Sequence, residues 1–408
     1  MSQEEGGAVA IQERMDAAAG DGRTVDHVDV QRTGPGTLAG QYLRRFWHPV
    51  YRAEDLAPGQ AVPIRIMSEN YTLYRGEDGA PHVVAFRCAH RGAQLSVGWV
   101  EGDCIRCLYH GWKYAGDGQC VEQPGEDESF AGKVRIASYP TQDYLGLTFA
   151  YLGEGEPPPF PRYWDFERPG VLENGPPEVW PCNFFNRLDN DCDGNHVAFT
   201  HRESLSRTGQ GDLKPRRISA EETEYGIKCR VETPERGTTY LYVLMPNVQA
   251  HRAWGSIEGS REDAQRLLTD RLTWRVPIDD THCVSFRVDV MDLHGERARA
   301  YQERRRQVEQ TQQLDLNAAA ETILAGRMHL RDLEPDLSTY KMFRIEDYCA
   351  QVGIGPLADW RSEHLGRGDV GTILQRRIWQ RELKALAAGQ PLTNWRLPAR
   401  MPFEDDEH

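Results

Sequence analysis

The chain has 408 residues, more than one small hydrophobic core accounts for, so two domains are expected. It is acidic, with 48 Lys and Arg against 62 Asp and Glu and a formal net charge of −14, which argues against a nucleic-acid partner because phosphates favour basic patches. Its apolar runs, such as Tyr240–Met245, fall far short of the roughly 20 residues a membrane span needs. The N-terminal MSQEEGGAVA lacks the basic and apolar regions of a signal peptide, and nine cysteines without a secretory signal read as reduced thiols or metal ligands. No membrane partner and a cytoplasmic location are the expectation.

Taken in chain order, residues 1 to about 25 are polar, Ala/Gly-rich and expected to be mobile. From Trp47 to Tyr151 short runs alternate with turns: AVPIRIM, NYTLYRG, PHVVAFRC and LGLTFAYL. Alternation with β-branched and aromatic residues predicts small antiparallel sheets. Within this region stand Cys88-x-His90 and, sixteen residues on, Cys107-x-x-His110. Each pair can reach a metal from one tight loop. Two Cys and two His could hold one tetrahedral zinc, or a [2Fe-2S] cluster with the thiolates on one iron and the imidazoles on the other; spacing does not separate the two. Cys104 makes a CxxC with Cys107, but the chain has no second CxxC, so Cys104 reads as a small core hydrophobe outside the site.

The Pro-rich run GEGEPPPFPRYW, 153–164, is a natural boundary. Beyond it, RLDNDCDGNHVAFTHRE carries Asn190-x-x-Asp193-x-x-His196-x4-His201. Histidines five apart stand about 140° apart on an ideal helix. They converge on one ion only if the helix bulges or ends between them; the bland alternative is two ordinary histidines on an acidic helix. Asp193 is one turn before His196. The runs YGIKCRVET, TTYLYVLMPNV, RLTWRVPI and HCVSFRVDV predict one larger antiparallel sheet. Helices are expected near 297–326, where Arg304–Arg306 read as a solvated face, and over 370–388, with Asp369 as N-cap, Leu374, Ile378 and Leu383 on one face and Gly389 after the end. No GxGxxG follows a strand and no Walker loop exists, so no nucleotide site is signalled.

The first pair of motifs resembles the Rieske signature, through Cys88, His90, Arg91, Gly92, Cys107, His110, Gly111 and Trp112. Together with the second, the chain from about Trp47 to its C-terminal helix resembles the large subunit of Rieske non-haem iron oxygenases, in the phthalate-dioxygenase-like branch. The resemblance implies an α+β fold. An N-terminal extension (1–40) precedes an all-β [2Fe-2S] domain (41–155). A catalytic domain (156–408) follows, with an antiparallel sheet flanked by helices in a helix-grip-like arrangement. It implies that His196 and His201 hold a mononuclear Fe(II) with a carboxylate from FRIEDYCAQVGIGPLADWRSEHLG, 343–366. Asp347 is the choice. Glu346 and Asp359 are the alternatives, because Ala350-Gln351-Val352 stands where the family has Gln-Glu. Asp193 matches the relay between the cluster of one subunit, through its second Rieske histidine (His110 here), and the iron of the next. Asn190, Arg91 and Trp112 match supporting positions.

The same resemblance implies a head-to-tail homotrimer, with stacked trimers as an alternative, and a separate reductase or ferredoxin delivering electrons from NAD(P)H. The expected substrates are O₂ and an aromatic small molecule. The wording GWVEGDCIRCLYHGWKY with CVEQPGE is similar to O-demethylases of lignin-derived biaryls, the dehydrodivanillate type. Ring hydroxylation or dihydroxylation of an aromatic carboxylate such as phthalate or phenoxybenzoate is the alternative, and a Rieske electron carrier or metal-stabilised binding protein the remote one. Val197, Phe199 and strand residues of TTYLYVLMPNVQAHRAW are expected as pocket wall. Arg252 reads as a partner in a surface salt bridge rather than of a substrate carboxylate.

Overall fold

Short alternating strands dominate the first part of the structure, a computed structural model that describes residues 28–403 apart from 208, 210–213, 234–236, 257–265, 312–314 and 336. The Ala/Gly-rich N-terminal stretch lies outside the described residues. After a short helix, α1 (Leu38–Leu43), come β1 (Trp47–Arg52), β2 (Ala61–Ile66), β3 (Glu69–Arg75), β4 (Pro81–Ala85), β5 (Trp99–Glu101), β6 (Cys104–Arg106), β7 (Lys113–Ala115), β8 (Cys120–Glu122), β9 (Ser138–Tyr139), β10 (Thr141–Tyr144) and β11 (Leu147–Tyr151). They form three antiparallel sheets, ordered β1-β11-β10, β2-β3-β4-β9 and β5-β6-β7-β8. β11 reads LTFAY and is buried along its whole length, so it has no polar face to alternate.

The Pro-rich run 153–164 is pinned down. Pro158 O accepts from Trp47 Nε1 at 2.9 Å, and the Phe160 ring packs on Trp47 and Phe149. Then follow β12 (Val171–Glu173), β13 (Glu178–Trp180), β14 (Arg217–Thr223), β15 (Gly226–Thr233), β16 (Gly237–Leu244), β17 (Val248–Ser256), β18 (Arg266–Asp279) and β19 (His282–Met291). All join one eight-stranded antiparallel sheet, in which β12 and β13 both pair with β19. The period of two sorts β18 cleanly. Leu272, Trp274 and Val276 are buried in the core, whereas Arg271, Thr273 and Arg275 face a cavity.

The helices of this part are α2 (Phe184–Asp191), α3 (His196–Phe199), α4 (Arg202–Arg207), α5 (Gly295–Thr311), α6 (Leu316–Leu324), α7 (Thr339–Gly353) and α8 (Val370–Ala387). The helix expected over 297–326 is therefore two, the second capped by Asp315, whose carboxylate accepts from Ala318 N. The N-cap expectation for α8 is corrected. Asp369 stands at that position, but its carboxylate accepts from Gly366 N at 2.6 Å and makes no bond to the helix amides. Ile378 and Leu383 are buried as expected, and Gly389 takes φ +64° past the helix end.

One large core runs from α1 and β1–β4 to the eight-stranded sheet and its helices. Phe149 and Trp274 meet edge to face within it, and the β2–β3 turn bonds to β18 through Met67 N to Pro277 O and Ser68 N to Ile278 O, both 2.8 Å. A second, smaller core lies at the tip formed by β5–β8.

Candidate metal centres and the cavity between the helices and the sheet

Two loops of matching design stand at that tip. In each, the cysteine carbonyl accepts from a glycine four residues on, Gly92 N to Cys88 O at 2.9 Å and Gly111 N to Cys107 O at 3.0 Å. The glycines take φ +75° and +74°, the left-handed region where a side chain is strained. The loops bring Cys88 and Cys107 together in the small core. They also bring the His90 and His110 rings to 4.5 Å, centre to centre. The His90 ring lies flat on Trp112 at 4.6 Å, and its Nδ1 is buried without a hydrogen-bond partner. An orphaned lone pair beside two thiols is what a metal ion requires and what a packed core avoids. The Cys107 thiol is pushed up by burial and by Cys88 beside it, so it needs a metal to become thiolate. His110 is exposed, with the Tyr109 ring against it and Arg91 over Tyr109. Cys104 lies in β6, paired between Glu101 and Ala115, outside both loops.

Sequence reasoning missed Tyr114. Its hydroxyl accepts from Ala89 N and lies 3.2 Å from Cys88 Sγ, within hydrogen-bond reach of the sulfur. The signal was there: Tyr114 stands two residues after Trp112, the spacing that puts side chains on one side of an extended chain.

The segment with His196 and His201 is a broken helix. α2 ends at Asp191, α3 spans His196–Phe199, and α4 starts at Arg202. This break, and no bulge, turns the two rings toward each other, 5.4 Å apart. Asp193 sits in the first break. Its carboxylate accepts from Asn195 N at 2.8 Å and His196 N at 3.3 Å, while its backbone carbonyl lies 2.5 Å from His196 Nδ1. Thus the carbonyl, and not the carboxylate 3.9 Å away, holds this ring. His201 Nδ1 donates to Glu346 Oε2 at 3.0 Å, and Glu346 also accepts from Ser204 N and Oγ. Phe343 stacks on the His201 ring at 4.1 Å.

With acceptors at both Nδ1 atoms, each ring keeps its proton there and offers a lone pair at Nε2. Asp347 Oδ1 lies 3.5 Å from Nε2 of His201 and 3.9 Å from that of His196; the three donor atoms are all within 4.8 Å of one another. Donors ~2 Å from one ion stand ~3 to 3.5 Å apart, so small ring rotations close this set on an ion. Two imidazoles and one carboxylate leave open positions, the donor set of non-haem iron(II) oxygenases. The rivals of Asp347 lie elsewhere. Glu346, one residue earlier and about 100° around the helix, serves the far side of His201. Asp359 is exposed and binds Arg361.

These three residues line a cavity of about 560 Å³ between α2–α4, α5, α7 and the sheet. Its wall carries nine arginines against four carboxylates. Arg271 and Arg287 share Asp289, Arg275 binds Asp191 twice, and Arg344 pairs with Glu178 at 3.1 Å. Burial opposes the Asp289 charge, yet Arg271 and Arg287 hold its carboxyl at about 2. His251, opposite Arg271 on β17, is driven down to about 3 by burial and by that cation, so it is neutral.

Three expectations are corrected here. Arg304 and Arg305 line the cavity, because the helical repeat puts them on the face of Tyr301; only Arg306 stays solvated. Arg252 is in an ion pair, but with the buried Asp270 and not at the surface. Phe199 is 54% exposed on the outer side of α3, two residues and about 200° from Val197, which does line the cavity beside Thr239, Leu241, Gln249 and His251. No helix among the described residues is long and apolar enough to cross a membrane.

Both centres and the sheet that frames the cavity define an enzyme, an oxygenase component of a multicomponent Rieske system. The chain is similar to the large subunits of Rieske non-haem iron aromatic oxygenases, the phthalate-dioxygenase-like branch among them. Residues 46–140 match the Rieske [2Fe-2S] domain. The chain is 28% identical to the 5,5'-dehydrodivanillate O-demethylase oxygenase subunit of Sphingobium sp. (strain NBRC 103272 / SYK-6), over 88% of this chain and 80% of that one. It is 26% identical to the phthalate 4,5-dioxygenase oxygenase subunit of Pseudomonas putida, over 86% and 84%. Its fold is similar to that of NdmA from Pseudomonas putida CBB5, solved with caffeine, at a TM-score of 0.63 and 20% identity over 89% of this chain and 94% of that one. Its cofactors are a [2Fe-2S] cluster and Fe(II), with electrons from NAD(P)H through a partner reductase. The electron-carrier and binding-protein alternatives are set aside.

Proposed function

We propose that the enzyme inserts one oxygen atom into a methoxy C–H bond of a methoxylated aromatic acid or lignin-derived biaryl. The resulting hemiacetal loses formaldehyde. The balance is Ar–OCH₃ with O₂, two electrons and two protons giving Ar–OH, formaldehyde and water. The cavity carries this reading: arginines in excess over carboxylates receive an aromatic acid, and Trp180 and Phe343 line the same space as the three donor atoms. The likeness to the dehydrodivanillate O-demethylase subunit supports demethylation. The likeness to the phthalate dioxygenase subunit favours ring hydroxylation as the second reading.

In this reading Cys88, His90, Cys107 and His110 hold the cluster, and His196, His201 and Asp347 hold the iron. When bound, these groups supply single electrons and O₂ activation. The chain's own residues fix the donors: Glu346 keeps the proton of His201 at Nδ1, and the Asp193 carbonyl does so for His196. Asn190 takes a supporting role, with its carbonyl accepting from Asp193 N at 3.1 Å; Trp112 and Arg91 support the cluster loops. The Asp193 carboxylate meets His110 of the partner subunit in a head-to-tail trimer. Support for that is the exposure of His110 and the partial exposure of Asp193, whose carboxylate the His196 ring does not use. The domain limits follow the same reading, 41–155 for the cluster and 156–408 for catalysis.

The test is a panel of methoxylated and carboxylated aromatics turned over with a surrogate reductase. Stoichiometric formaldehyde and phenol are expected; hydroxylated or diol products without formaldehyde establish the second reading. His196→Ala should keep the cluster's EPR signal and lose turnover, and normal turnover overturns the iron site.

A further inference from the structure

Behind Asp347 runs a chain of contacts that an ion site does not itself demand. Arg187, on α2, is buried with its guanidinium over the Trp180 ring at 3.7 Å. No carboxylate of the described residues lies within ion-pair distance of it. Its Nη1 donates instead to Gln351 Oε1. Gln351, one turn after Asp347 on α7 and itself buried, donates from Nε2 to Asp347 Oδ1 at 3.1 Å. The amide has only one sensible orientation. A guanidinium has donors alone, so the amide oxygen faces Arg187 and the NH₂ faces the carboxylate. The carboxylate oxygen it engages is the one nearest both histidine Nε2 atoms.

We propose that Gln351, anchored by Arg187, is a positioning residue for Asp347, a role that rests on reading His196, His201 and Asp347 as the iron site. The amide N–H fixes the carboxylate rotamer with Oδ1 toward the two imidazoles. Arg187 polarises that amide through its oxygen and strengthens the N–H as a donor. A guanidinium beside an iron ligand would draw the carboxylate into an ion pair of its own. With the amide between them, the cation supports the ligand without competing for it.

The experiment measures metal affinity with the cluster in place. Iron is removed with a chelator and Fe(II) is titrated back anaerobically against a competing chelator. Gln351→Met keeps the side-chain length and removes both polar ends. Its expected Fe(II) affinity is 10- to 100-fold weaker, roughly the range for lost supporting bonds to metal ligands, with an unchanged cluster spectrum. With Co(II) in place of iron and the cluster oxidised, the cobalt EPR line shape should change, which a purely structural role would not produce. If the single variant fails to fold because Arg187 is left unpartnered, the Arg187→Met/Gln351→Met double variant strands no buried donor and must show the same loss. The two substitutions should be non-additive in metal affinity. Unchanged Fe(II) affinity in a folded variant overturns the proposal. His201→Ala separates the two failures. If it binds Fe(II) like the parent, the iron-site reading falls and the proposal with it. If it loses the metal while Gln351→Met does not, only the role of Gln351 falls.

Discussion

Tyr114 shows how one hydroxyl sets the chemistry of a neighbour. It receives Ala89 N and lies 3.2 Å from Cys88 Sγ; a metal-bound thiolate there has no proton, so the hydroxyl is its donor, and hydrogen bonds to cluster sulfur raise the reduction potential. Tyr114→Phe is expected to lower that potential. A bond worth ~1 kcal/mol corresponds to about 40 mV for a one-electron couple, and a redox titration followed by EPR measures it; an unmoved potential refutes the assignment. At this scale the two Cys/His loops were legible, because each pair closes within its own tight turn and needs no distant partner. Asp347 was only partly so. It and Glu346 are adjacent on α7, and which of them faces His201 from which side depends on how α7 packs against α4 (Ser204 is the anchor). Phe199 and Arg304–Arg305 were misread for the same reason: a helix has an inside and an outside that only its neighbours define.

At the scale of elements, Asn183 links three segments. Its side chain caps α2 through Phe185 N, and its Nδ2 donates to Gln31 O and Asp280 O at 2.8 and 2.7 Å. It is fully buried. Asn183→Ala removes a helix cap and strands two carbonyls, a loss of about 2–4 kcal/mol, readable in urea unfolding; a change well below that range says the strap at residues 28–33 is held by other bonds, such as the reciprocal pair of Val28 and Gln380. On β17, His251 titrates at about 3 in the folded chain against an ordinary 6.5. Its folded value is depressed, so its contribution to stability is complete above pH ~6.5 and is lost as pH falls toward 3. Thermal unfolding of His251→Asn should therefore be less sensitive to acid than that of the parent across this window; parallel curves refute the neutral buried imidazole. β18 was readable from alternation, whereas β11, buried on both faces, is not an alternating strand, and short strands such as β5–β8 were not singled out. The break between α5 and α6 was not readable, since no proline or glycine stands there; in α2–α4 Gly194 falls in the first break, but the sequence left a bulge and a helix end equally open.

Over the whole molecule, the two larger of the three hydrophobic cores among the described residues divide the work. The large one welds α1 and β1–β4 to the eight-stranded sheet, while the tip rests on a small one that includes Cys88 and Cys107 themselves. Removing the cluster should loosen the tip alone. Hydrogen exchange of cluster-free protein is expected to quicken across residues 88–122 and stay slow in β15–β19; quickening throughout means the cluster props up the entire fold. The Pro-rich run 153–164 stood out in the sequence as a boundary; the core shared across it did not, because it rests on contacts such as Phe149 with Trp274 that no local pattern announces.

The arginine-rich cavity lies inside a chain of net charge −14. An organic anion diffusing toward this molecule meets repulsion first and attraction last. The long-range field slows its arrival, and the short-range field holds it once inside. Salt screens the former over about 10 Å at 0.1 M and reaches the enclosed arginines far less. Added salt therefore speeds the encounter of an anionic aromatic with this cavity, the reverse of ordinary electrostatic steering. The negative exterior works as a toll on every anion, and only those that fill the cavity recover it.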